Sequence, residues 1–461
     1  MSHQTRSVAV VGAGIAGLTA AWALHQRGIV VSVFERETQA GGRMRTIDHE
    51  GFRIEAGATV LSRSYTGMRQ LITELGIEAE FGPASTQCAF RRDGQMYRVH
   101  AERKLSFLST SLFSLPTKLA LLRALPTFIS RRKQLDWTTM DENVALDSLS
   151  ATQFARKHLT GEAFDYLCEP LLGGGLVLAS PDELNAADML FAADKLLLPH
   201  FNSAKGLGLV TDSLAQRVPP RFGSEVTELR TVGHGVDLTW RNGSGQEQTE
   251  SFDAAVVALP AVQAPALLPE LPVEDQRYLS SVPYSRGLIV SLGLARRPDE
   301  TATAVILAQH DHPDLALIEL QHNRIPGRVD NGQGLITLQP RASFTDRWWA
   351  SDDATVIEQG MKAAAAVFPE IRETVLTGHV TRCDPALVIR PPGGYAQLRA
   401  FKARRAQADP RIQLAGDYFG ALGNTNGALL SGEEAARRVL AYLGQSSALS
   451  SPAVWASRVT Q

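Results

Sequence analysis

Cysteine is scarce: three residues, Cys88, Cys168 and Cys383, far apart and odd in number. That excludes a disulfide framework, offers no thiolate metal site, and points to a reducing, cytoplasmic compartment. Long apolar runs are missing too, none reaching the roughly 18–20 residues of a spanning helix. The first apolar stretch, Val8 to Val11, runs straight into glycine and lacks the longer apolar core of a signal peptide. Neither sign of charge is in excess: 46 Lys+Arg against 48 Asp+Glu leave −2. This argues against nucleic acid as the principal partner. What is present is an ordinary globular composition, 44% hydrophobic and 20% charged, in 461 residues. That length predicts two or three domains.

The first fifty residues carry the strongest pattern. Ser7 to Val11 reads SVAVV, a short apolar run suited to a strand buried on both faces. Gly12-Ala13-Gly14-Ile15-Ala16-Gly17 follows at once, then a helical pattern ending before Gly28, then a second strand, Val30 to Phe34, with Glu35 at its end. Gly12 permits a tight turn, Gly14 lets the backbone approach a pyrophosphate, and Gly17 lets the helix pack closely. The free amides at the helix start, from Ile15 and Ala16 on, suit the phosphates. Glu35 stands where a carboxylate accepts the hydrogen bonds of an adenosine ribose. A lone motif of this kind is often only a flexible turn; here strand, turn, helix, strand and acid fall in register.

The continuation selects FAD over NAD. A nicotinamide domain would continue into further strand–helix repeats. Instead Glu35-Arg36 leads to Gly41-Gly42-Arg43-Met44-Arg45, then to Glu55-Ala56-Gly57-Ala58-Thr59. Arginine suits a phosphate because its planar fork bonds two oxygens at once; the bland alternative is a solvated turn. Near the other end, a strand over 411–415 enters Gly416-Asp417, and a helix is expected to begin at Asn426-Gly427-Ala428. Its N-terminus, aimed at the flavin N1–C2=O edge, would stabilise negative charge there. The bland alternative is an ordinary capped helix.

On these stretches, VVGAGIAGLTAAWAL…VSVFERETQAGGRMRT…EAGAT and LAGDYFGALGNTNGALLSGEEAARRVL, the chain resembles the superfamily of FAD-dependent amine oxidases, protoporphyrinogen oxidases and phytoene desaturases. The resemblance covers about a fifth of the chain and brackets it. It implies that Asp417 lies near the ribityl chain and pyrophosphate, and that the backbone of Val226 reads the adenine. Amine oxidases of this kind clamp the amine between two aromatic rings, one just before the last helix. This chain has Gly423-Asn424-Thr425-Asn426 there, and only Tyr395 is left to supply a ring to the substrate. The departure pulls towards the protoporphyrinogen-oxidase-like and desaturase-like branches.

Between the two signatures the pattern is mixed. Residues 88–99 read as a hairpin turning at Asp93-Gly94. The segment 101–140 is rich in leucine and basic residues, broken at Pro116 and Pro126. It leaves three readings open: an amphipathic segment on a membrane, a helical lid over a substrate cavity, or core helices. The LLGGGLVL run reads as close helix packing, and Lys205-Gly206-Leu207-Gly208-Leu209 as the return to the dinucleotide domain. Residues 222–260 form a β-meander with a turn near Asn242-Gly243 and a buried last strand. Strands at Leu288–Leu294, Thr303–Leu307, Leu315–Leu320 and Gly334–Leu338, with a helix near 352–367, read as a substrate-domain sheet. His310 and His312 read as a polar loop, not a metal site. No nucleophile–base spacing or GxSxG motif is found, so no catalytic residue is assigned.

The expectation is an α/β (α+β overall) protein. A Rossmann-like, discontinuous FAD-binding domain (1–80, 205–270 and 385–445) carries an inserted mixed-sheet and helical substrate domain (81–204, with 101–204 mostly helical, and 271–384). A tail follows over 446–461. The expected enzyme removes a hydride from a small, largely hydrophobic organic molecule, forming C=N or C=C, with oxygen or another acceptor reoxidising the flavin. Peripheral membrane contact would run through 101–133. The alternatives are a flavin-dependent double-bond isomerase, a nicotinamide enzyme using only the first unit, and a membrane-associated binding protein.

Overall fold

The computed structural model describes residues 6–445 apart from 104, 143–145, 177, 196–197 and 331. The expected tail over 446–461 and Val177 of the glycine-rich run lie outside the described residues. Among them, no helix is long and apolar enough to cross a membrane.

The run SVAVV becomes the middle strand of a five-stranded parallel sheet. Ser7–Val11 pairs with Val30–Phe34 on one side and Ala254–Val257 on the other. Pro220–Arg221 and Ile412–Leu414 form the two edges. Val8, Ala9, Val10 and all of Ala254–Val257 are fully buried, as a run without polar alternation requires. Helices Ile15–His25 and Thr425–Tyr442 cross each other over this sheet, and a Cβ on Gly432 would lie 2.2 Å from the Ala16 carbonyl oxygen. The meander, Glu225–Val232, Gly235–Arg241 and Glu247–Phe252, packs Trp240 and Phe252 on Phe34. Its second turn falls near Asn242-Gly243 as expected: Asn242 accepts hydrogen bonds from Ser244 and Gln246, and Gly245 takes the positive φ.

A second, seven-stranded mixed sheet runs in the order 375–383, 287–294, 334–340, 315–320, 304–307, 87–92 and 95–100. The hairpin turns where Asp93 and Gly94 both adopt positive φ, 51° and 78°, the geometry that matches strand twist. One face of this sheet carries Val290 and Leu338, which meet helix Asp353–Ala365 at Gly360. On the other face Ser291 and Thr337, also buried, bond to each other at 3.3 Å.

The stretch 101–204 is mostly helical: Leu115–Arg131, Ala151–His158, Ala186–Lys195, and π-helical turns at Phe164–Cys168 and Leu171–Leu176. Pro116 and Pro126 do not break it as expected. Pro116 sits in the first turn of Leu115–Arg131, where its missing N–H has no helical acceptor to lose, and the helix continues through Pro126. The glycine run does pack closely, since a Cβ on Gly174 would lie 2.0 Å from that of Ala316. A helix that the sequence reading missed, Gly394–Gln407, starts after Gly393 at φ 82°.

Candidate functional site

The first turn separates the duties of its glycines. Gly12 has φ 97°, its N–H donates to the Phe34 carbonyl at 2.8 Å, and a Cβ would come within 2.8 Å of the Ala258 oxygen. A Cβ on Gly17 would lie 1.9 Å from the Gly12 oxygen, whereas at Gly14 nothing stands within 4 Å. Gly12 and Gly17 therefore close the turn, and Gly14 faces open space. The helix that starts there has no side-chain cap and no acid in its first turn. Its first amides, Ile15, Ala16 and Gly17, lack intrahelical acceptors and carry the positive end of the dipole.

A second glycine turn lies on the first. Gly41 donates to the Ala13 carbonyl at 2.9 Å, and Gly42 comes close to the Gly14 Cα. Gly41 and Gly42 have φ 107° and 53°, which favours residues without a Cβ. Glu35 is held by two amides, Ala13 N–H to Oε2 at 2.7 Å and Glu37 N–H to Oε1 at 2.9 Å. Each oxygen keeps a lone pair, so the carboxylate can still accept ribose hydroxyls. Arg36 points into solvent and pairs with Glu37.

Arg43 joins three distant segments. Its Nη1 donates to Asp417 Oδ2 at 2.8 Å and to the Ala386 carbonyl. Burial works against the guanidinium charge, but Asp417 beside it more than compensates and holds the pKa above its ordinary value. Tyr284 completes the cluster: its hydroxyl accepts the Ala261 N–H at 3.0 Å and donates to Asp417 Oδ1 at 3.4 Å. Tyr284 and Ala386 escaped the sequence reading, since nothing local in them signals a partner more than 100 residues away.

The EAGAT stretch is locked from both sides. Glu55, fully buried, accepts from Thr46, the Leu207 N–H and Arg328. Burial pushes its pKa up although Arg328 pulls it down. A Cβ on Gly57 would lie 2.4 Å from the Arg43 oxygen, and Ala58 N–H donates to that oxygen. Thr59 donates to Glu319 on the seven-stranded sheet at 2.9 Å, where Gln321 also donates. Val226 lies in the meander beside a bulge and is buried.

At the C-terminal signature the helix starts one residue early, at Thr425, with the Asn424 side chain capping the Gly427 N–H at 2.9 Å. The Gly416 N–H donates to Ser431, which ties the loop to the helix. Ala428 is buried. Asn426 is 0% exposed and accepts from Met68 N–H, which ties it to helix Thr66–Glu74, while its Nδ2 has no partner among the described residues.

One expectation is corrected. Tyr395 offers no ring to a substrate: it is 0% exposed, its hydroxyl donates to Asp188, and Arg390 lies over its ring. Burial in turn raises the Asp188 pKa to about 6. Residues 309–314 do form a loop, as expected, but His312 is buried in it. Its Nδ1 accepts the Leu315 N–H and its Nε2 faces the Ala363 carbonyl, while His310 bonds to Tyr166.

The exposed Gly42 and the partly exposed Gly14, Glu35, Arg43, Gly57 and Ala58 thus stand among buried neighbours. Arg45 Nε is buried there with no partner among the described residues. Open backbone at Gly14, free helix amides, a half-free carboxylate and an unpartnered guanidinium nitrogen fit a dinucleotide with two phosphates and a ribose.

Residues 15–440 match the family described as flavin containing amine oxidoreductase. The Staphylococcus aureus coproporphyrinogen III oxidase is 22% identical over 490 residues, covering 95% of this chain and 100% of that protein. The chloroplastic/mitochondrial protoporphyrinogen oxidase 2 of Arabidopsis thaliana is 29% identical over 181 residues, 39% of this chain. The match spans only 34% of that plant relative's length. In fold the chain resembles the cyclohexylamine oxidase of Brevibacterium oxydans, with a TM-score of 0.71 and 20% identity over 95% of this chain and all of that one.

Proposed function

The chain belongs to the flavin-containing amine oxidoreductase family, as an FAD-dependent enzyme, and we propose that it desaturates a C–N or C–C bond in a small, largely hydrophobic organic substrate. The observation that carries this reading is the meeting of both chain ends around Arg43 and Asp417, beside the open backbone at Gly14. In this reading Gly12, Gly14 and the amides of Ile15, Ala16 and Gly17 hold the pyrophosphate. Glu35 takes the adenosine ribose, Val226 the adenine, and Arg43 with Asp417 the ribityl end. The start of helix Thr425–Tyr442, at Gly427 and Ala428, aims positive dipole at the flavin ring. Gly42 and Gly57 to Thr59 shape the wall against the inserted sheet. Bound FAD supplies the hydride acceptor, with oxygen or another molecule taking the electrons onward. The protein's own part is to position the substrate C–H and exclude water.

Residues 1–80, 205–270 and 385–445 would carry the cofactor, because every strand of the parallel sheet comes from them. Residues 81–204 and 271–384, source of all seven strands of the mixed sheet, would carry the substrate. The exposed Leu105, Leu115, Leu119, Leu122 and Leu125 support peripheral contact with a membrane, and the three scattered cysteines support a cytoplasmic protein.

The test is the visible spectrum of the purified protein, followed anaerobically with amines, porphyrinogens and polyenes. Twin flavin bands bleached by one class support the reading and name its chemistry. Turnover of a polyene without bleaching or acceptor consumption favours the isomerase, and a colourless protein that FAD cannot reconstitute overturns the proposal.

A further inference from the structure

Helix Leu115–Arg131 packs Leu121 and Phe128 against the core and carries a second apolar side outward. Leu115, Leu119, Leu122 and Ile129 are 69%, 44%, 43% and 64% exposed. Their spacing of four, three and seven residues puts them on one face, with Leu125 at its edge. Thr117 is the one buried residue of the helix. A contiguous apolar face of this kind on a soluble protein marks a surface that something covers.

Charge indicates what covers it. From 103 to 135 the chain has seven lysines and arginines and no acid. Arg132 is spent on the buried Asp194. Lys118, Arg123 and Lys157 have no ion pair among the described residues. Where this helix meets the end of helix Ala151–His158 there is a cleft lined by Ala120, Arg123, Ala124, Lys157, His158 and Leu159. Ala120, Ala124 and Leu159 make part of its lining apolar, and Arg123 and Lys157 bring positive charge to it. Arg123 stands one turn beyond Leu119, so the cleft adjoins the apolar face.

Resting on the peripheral contact proposed above, we infer that this cleft seats the phosphate of an anionic phospholipid while the leucine face lies among the acyl chains. At 1.5 Å per residue the helix would lie about 25 Å along the membrane plane. Apolar burial supplies the anchor, and the three bases restrict the partner to an anionic leaflet.

The experiment is sedimentation of the FAD-loaded protein with vesicles of phosphatidylcholine alone or with added phosphatidylserine. Two surface variants, R123Q/K157Q and L119S/L122S/I129S, are compared after melting curves and flavin spectra show that both are folded. The wild type is expected to sediment with serine-containing vesicles and to be released by salt. R123Q/K157Q should lower partitioning about five-fold per charge, and the serine variant should stay in solution. If R123Q/K157Q sediments like the wild type, or the wild type binds both vesicles equally, the headgroup cleft is refuted while the membrane contact stands. If the wild type binds neither, or a second copy of the chain covers the face in a dimer lost with the serine variant, both readings fall.

Discussion

Three glycines within six residues have three different jobs, and substitution separates them. Gly17→Ala pushes a methyl into the Gly12 carbonyl, 1.9 Å away. It is expected to cost about 1–3 kcal/mol, read as a lower melting temperature of the apoprotein. Gly14→Ala meets nothing within 4 Å, so the apoprotein should melt as the wild type does while FAD titration shows weaker binding. Equal melting losses in both would sink this division. Tyr395 gives the opposite lesson. Tyr395→Phe deletes a hydroxyl bonded to the buried Asp188 and should cost about 1–3 kcal/mol, with substrate KM unchanged. A changed KM at unchanged stability would return this residue to the substrate site. The glycines were legible because their spacing carries the geometry. The place of Tyr395 was not, because its partners, Asp188 and the Asp147 carboxylate, lie more than 200 residues away.

Elements joined by packing also carry a pH response. In helix Thr425–Tyr442, burial and the neighbouring Glu74 push the Glu433 carboxyl up to about 7. The folded protein therefore keeps a proton that the unfolded chain gives up near the ordinary carboxylate value, about 4.3. This group's contribution to stability is full below that value and is lost as pH rises towards 7. Glu433→Gln should melt like the wild type near pH 4 and gain on it by pH 8, checked by melting temperature against pH. Equal profiles would show that Glu433 ionises freely in the fold. Element type was readable where a short run is mostly apolar, as in the strands at 288–294 and 315–320. It failed at Pro126, where the surrounding helical turns tolerate a lost hydrogen bond, and at Gly394–Gln407, where Pro391-Pro392-Gly393-Gly394 masked a helix start.

At the scale of the whole molecule, strands near 10, 32, 255 and 413 share one sheet, so cofactor binding should report on the entire fold. FAD at about one hundred times its Kd should stabilise the protein by about 2.7 kcal/mol, seen as one cooperative upward shift in melting. A shift confined to part of the transition would mean that the two sheets unfold apart. By itself the sequence determined the dinucleotide turn, the acid after the second strand, the paired terminal signatures and the family. Each rests on residue types whose backbone freedom or charge is needed at a fixed local spacing. Only the tertiary structure decided that Arg43 reaches Asp417 and Ala386, that Asn426 and Tyr395 are buried, and that Leu115, Leu119, Leu122 and Leu125 face outward. Those facts depend on which distant surfaces meet, and the period of a helix says that one face is apolar without saying what that face will touch.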